Sequence, residues 1–114
     1  MELLTYAIPA VGVAIPEESQ YKEVFNLLEK HNPDILVITG HDALTSKKGN
    51  ITDLNNYRNS LNFIKAVKQA RKWQPNLDNL VIFAGACQSN YEQLLRAGAN
   101  YASSPGRIMI HALD

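Results

Sequence analysis

Two runs of apolar residues, each ending in a glycine-containing turn that carries a reactive side chain, restrict what this chain can fold into. The first is Ile35-Leu36-Val37-Ile38-Thr39-Gly40-His41, and the second is Leu80-Val81-Ile82-Phe83-Ala84-Gly85-Ala86-Cys87. Both runs read as buried strands, and the segments around them alternate between strand and helix patterns. Such alternation predicts an α/β fold, a three-layer sandwich with a mostly parallel sheet and helices on both faces. The 114 residues suffice for a single domain, 1–114, with one core.

Read from the amino end, Met1 to Tyr6 resembles the tail of a helix, and Ala10 to Ile15 reads as a short strand. Pro16, Glu17, Glu18 and Ser19 turn the chain into a helix over Gln20–His31, with Tyr21, Val24, Phe25 and Leu28 on one face. Asn32-Pro33-Asp34 stops it before the strand Ile35–Thr39. A long polar loop from His41 to Asn56 follows, with Lys47-Lys48-Gly49-Asn50 at its tip; loops of that length are often functional. The next helix covers Tyr57–Trp73 and is expected to bury Leu61, Ile64, Val67 and Ala70. After the strand Leu80–Ala84, Ser89-Asn90-Tyr91-Glu92 has the form of a capping box, opening a helix that Gly98 closes. Asn100–Ala102 reads as a short strand, Pro105-Gly106 as a turn, and Arg107–His111 as a last strand-like run. Both ends read as cut, so an open seam in the sheet would invite homo-oligomerisation through exposed strand edges.

Bulk composition excludes several classes of function. Eleven basic and eleven acidic side chains cancel, which leaves no field for a nucleic acid or an anionic membrane. No apolar stretch approaches the roughly 18–20 residues that span a bilayer. Cys87 is the only cysteine, so no disulfide forms within the chain and a reducing, cytoplasmic compartment is expected. His41, Cys87 and His111 lack the paired spacing of a zinc site, and no metal or cofactor is expected.

The chemistry is concentrated at the two strand ends, since ligands bind at the carboxyl edge of open α/β sheets. Cys87 precedes a capped helix whose amino-terminal amides favour a thiolate. Gly85 is small enough for a sharp turn, and the amides of Cys87 and its neighbours, Gln88 among them, could face a tetrahedral oxyanion. His41 has the same position one strand earlier. Adjacent strands lie about 4.8 Å apart, so side chains leaving neighbouring tips can meet, and a general base needs an approach of about 3 Å. Asp42 is a candidate for orienting the imidazole, whereas Ser89 reads as a helix cap and His31 as structural.

A strand ending in His followed by a strand ending in Cys resembles the caspase-like clan of cysteine peptidases. Four segments sharpen the resemblance: Asp34 to Asp42, Asn55 to Ser60, Phe83 to Ser89 and Ala97 to Pro105. They look like the YabG family of sporulation-specific proteases. The resemblance implies a caspase-like fold and a catalytic pair on His41 and Cys87. It also implies an intracellular endopeptidase that processes spore coat proteins in a spore-forming bacterium, and a chain corresponding to the central segment of longer proteins. In the caspase-like clan a glycine usually follows the histidine and lends its amide to the oxyanion hole. Here Gly40 precedes His41 and Asp42 follows it, so which amide joins that of Cys87 stays open, with Gly40, Asp42, Gly85 and Gln88 as the oxyanion or orienting candidates.

Two other readings compete. Gly85-x-Cys87-x-Ser89 mimics the nucleophile elbow of amidotransferase-like and hydrolase folds, which would promote His111 over His41. The stretch from Leu94 to Tyr101, followed by Ser104-Pro105, echoes the end of a non-catalytic receiver-like interaction domain. Thr39-Gly40-His41 in place of a phosphoacceptor aspartate speaks against phosphoryl chemistry there.

Overall fold

The computed structural model describes residues 10–42, 57–86 and 89–103. Three helices and three strands follow one another as α1 (Glu17–His31), β1 (Ile35–Ile38), α2 (Ser60–Trp73), β2 (Val81–Gly85), α3 (Tyr91–Ala97) and β3 (Tyr101–Ser103). The sheet order is β1-β2-β3 and both pairings are parallel. Ile38 lies opposite Ala84, and Gly85 opposite Ser103, so the carboxyl ends of all three strands share one edge.

Local chemistry explains where the helices begin and end. Pro16 sits just before α1 with φ −54° and ψ 143°, and Glu17 and Glu18 occupy the first turn, where carboxylates complement the helix dipole. Asn32 stops the helix in the left-handed conformation, its N–H donating to Leu28 O at 2.7 Å. Helix α2 starts at Ser60 rather than Tyr57, and its buried face is Ser60, Phe63, Ile64, Ala66, Val67 and Ala70. Leu61, expected inside, is exposed. A strict three-residue row drifts by about 60° per step around a helix, so Leu61, Ile64, Val67 and Ala70 cannot share one face.

The core joins Val24 and Leu28 of α1, the α2 face, and Tyr91 and Leu94 of α3 to Ile38, Ile82, Ala84 and Ala102 of the sheet. Both crossovers step in the same direction along the sheet, which puts α2 and α3 on one face. Helix α1 packs on α2. The expected second helical layer is not seen: among the described residues the opposite face carries Val37, Phe83 and Tyr101 in exposed positions. The rings of Phe83 and Tyr101 stack there at 4.6 Å between centroids. The expected strand Ala10–Ile15 is also corrected. Its residues have no regular structure, with Val11 and Val13 exposed and no ladder partner among the described residues.

At the amino-terminal edge, Arg71 of α2 gathers the loops that feed β2 and β3. Its guanidinium donates to Gly98 O at 2.8 Å, Leu80 O at 2.9 Å and Gln74 O at 3.1 Å, and to Asn100 Oδ1 at 2.6 Å. Asn100 Oδ1 accepts Ile82 N–H as well, at 2.8 Å, so one clamp fixes the start of both strands. No described helix is long and apolar enough to cross a membrane.

Candidate active site

The carboxyl edge is built by Thr39 to Asp42 after β1, Gly85 and Ala86 at the end of β2, and Ser103 of β3. Thr39 Oγ1 donates to Gly85 O at 2.9 Å and locks the first two strand tips together. Gly85 has φ +113°, and a Cβ there would lie 2.9 Å from Ser103 O and 3.0 Å from Leu94 Cδ1. The chain turns at this point in a conformation and a space that only glycine fits. Gly85→Ala is therefore expected to lower stability by about 1–3 kcal/mol, read by urea denaturation.

Beyond the tips, a polar network crosses the interior. Asp42 is only 8% exposed. Its Oδ1 accepts Asn59 N–H at 2.8 Å, and its Oδ2 accepts the hydroxyls of Ser89, at 2.8 Å, and of Ser60. Each hydroxyl is also an acceptor: Ser89 Oγ takes Ala86 N–H at 2.8 Å and Ser60 Oγ takes Asn90 N–H at 2.9 Å. One carboxylate thus ties the loop after β1 to the end of β2 and to the starts of α2 and α3. It also supplies negative charge at the amino end of α2, whose own Asn59 makes no side-chain cap bond.

This network revises one sequence expectation. Ser89 is not the cap of α3. Asn90, one residue closer to the helix, caps it by accepting Gln93 N–H at 3.3 Å, and the Ser89 hydroxyl is spent on Asp42. Asp42, the candidate for orienting the imidazole, accepts from Asn59, Ser60 and Ser89. Nothing local in the sequence marks this bridge, because its partners lie 17 to 47 residues away.

His41 is exposed at this edge, and its backbone is held on both sides. Its N–H donates to Glu17 Oε2 at 2.7 Å and its carbonyl accepts Asn59 Nδ2 at 2.7 Å. Gly40 makes room for this arrangement, since a Cβ there would fall 2.8 Å from Glu17 Cγ. The Glu17 carboxyl is held below its ordinary range, first by the His41 N–H and then by its own backbone N–H. Sequence reading used Glu17 only as a helix-start signal. The expectations for Cys87, Gln88 and His111 lie outside the described residues. The flanks Ala86 and Ser89 are buried, and they reach the loop after β1 through the bond of Ser89 to Asp42. Among the described residues no cluster of three or more His, Cys, Asp or Glu could hold a metal.

Comparison with known proteins agrees with the resemblance. The family described as YabG peptidase U57 matches residues 3–114. The Sporulation-specific protease YabG of Bacillus subtilis (strain 168) is 57% identical over 107 residues, covering 94% of this chain and 37% of that protein. The chain therefore spans a little over a third of the length of that relative. No solved structure matches.

Proposed function

The chain belongs to the YabG peptidase U57 family, and from that premise we propose that it is the catalytic segment of a cysteine endopeptidase, with Cys87 as nucleophile and His41 as base. The observation that carries this reading is the Asp42 bridge. It couples the residue next to His41 to Ala86 and Ser89, which flank Cys87 and Gln88 in the chain. A histidine and a cysteine on loops fixed to each other in this way can work as one unit.

The reaction is acyl transfer. The Cys87 thiolate attacks a peptide carbonyl carbon, and the electron pair of the C=O bond moves to oxygen. Collapse of that oxyanion expels the amine, which takes a proton from the His41 imidazolium and leaves a thioester. His41 then removes a proton from water, the hydroxide displaces the thiolate, and the acid product departs. The N–H groups of His41 and Ala86 are committed to Glu17 and Ser89. Neither is therefore the oxyanion donor, and the reading sets the oxyanion against the Cys87 amide, with a second donor among Gly40, Asp42, Gly85 and Gln88. The proposed substrates are spore coat proteins, as the family resemblance implies, and the named relative's description as a sporulation-specific protease supports a role in sporulation.

Alkylation of Cys87 by iodoacetamide, followed against pH in the wild type and in His41→Ala, tests the pair. The thiol is expected to titrate below its free value of about 8.5 in the wild type and to return toward it in the variant. Titration near the free value in both proteins overturns the dyad.

A further inference from the structure

We propose that Glu17 is a positioning residue for His41: the first residue of α1 holds the His41 backbone so that the imidazole leaves the loop in its working direction. The assignment rests on the reading of His41 as the base. An exposed side chain gains little orientation from packing, so its direction depends on how firmly its own backbone is fixed, and His41 is exposed.

Helix α1 grips the three residues after β1 in succession. Gln20 Nε2 donates to Thr39 O at 2.9 Å. The Glu17 side chain lies against Gly40, where even one added carbon would collide with it at 2.8 Å. Glu17 Oε2 then accepts the His41 N–H at 2.7 Å, a charge-assisted bond in length. Glu17 and Gln20 are three residues apart on the helix, so both side chains leave its first turn toward the same strand end. Asn59 holds the other side of the His41 peptide. The His41 N–H also keeps the Glu17 carboxyl below its usual range, so the acceptor is ionised at neutral pH.

The residue type suits the task. Glutamine keeps the length and a carbonyl acceptor for the His41 N–H, whereas alanine removes both. The test measures second-order alkylation of Cys87 by iodoacetamide at pH 7, beside hydrogen exchange of the His41 amide, in the intact protein. Cys87 is the only thiol, so the rate has one source. Glu17→Ala is expected to slow alkylation roughly three- to tenfold and to speed exchange of the His41 amide. Glu17→Gln should stay within about twofold of the wild-type alkylation rate. A wild-type rate in Glu17→Ala beside a slow His41→Ala overturns this assignment alone, and so does failure of Glu17→Gln to restore the rate. A wild-type rate in His41→Ala overturns the dyad and this assignment with it.

Discussion

Cys87→Ala is expected to abolish peptide hydrolysis, lowering turnover by roughly 10⁴-fold or more, and His41→Ala to come close to it. Members of one catalytic unit fail together, so the double variant should be little worse than either single one. The fold should survive both changes. The bonds that join the two loops run through Asp42, Asn59, Ser60, Ala86 and Ser89, not through the imidazole of His41. The measurement is cleavage of a spore coat protein extract, with circular dichroism and thermal melts as the control. Activity that persists in Cys87→Ala removes the cysteine-peptidase reading. Activity that is lost in His111→Ala but kept in His41→Ala favours the nucleophile-elbow alternative.

Substitution of Asp42 is expected to be the most damaging change to stability at the carboxyl edge. Asp42→Ala leaves an amide N–H and two buried hydroxyls without their acceptor, a loss of roughly 3 kcal/mol or more. Asp42→Asn should not rescue it. Oδ2 receives two hydroxyl donors, and each hydroxyl already accepts a backbone N–H, from Ala86 or Asn90. An amide NH₂ placed there would set donor against donor. Urea denaturation reads both variants, and a loss under about 1 kcal/mol in Asp42→Asn would show that the network carries little of the stability. On the proposed dyad, alkylation of Cys87 should slow in parallel, because the segment from Ala86 to Ser89 loses its tie to the loop that carries His41.

The parts of the fold that were legible in the sequence are those fixed by neighbours along the chain. The unbroken apolar runs marked β1 and β2 to within a residue, and Asn32 and Gly98 closed α1 and α3 as read. The family and the α/β class were legible too. Ala10–Ile15 misled because apolarity alone does not make a strand without a ladder partner. Leu61 lies off the buried face because three-residue spacing alone does not make one. The largest omissions were polar. Nothing in Glu17-Glu18-Ser19 signals a grip on Gly40 and His41, and nothing in Ser89 distinguishes a cap from a bridge to Asp42. Such bonds are decided by which loops the topology brings together, and pattern reading along the chain does not register that.

The Arg71 clamp gives the two edges of the sheet different fates. At the amino edge a single guanidinium closes the entries to β2 and β3 on three backbone carbonyls, which every residue type supplies, and on one side chain, that of Asn100. Apart from Asn100, that edge therefore asks little of the side chains of the loops it holds and is sensitive to Arg71 itself, since a lysine cannot reach several carbonyls in one plane. The opposite edge depends on particular side chains at Glu17, Asp42, Asn59, Ser60 and Ser89. An engineer seeking new cleavage preferences would graft loops between those fixed points and leave Arg71 alone, using the sealed edge as the foundation on which the variable edge is rebuilt.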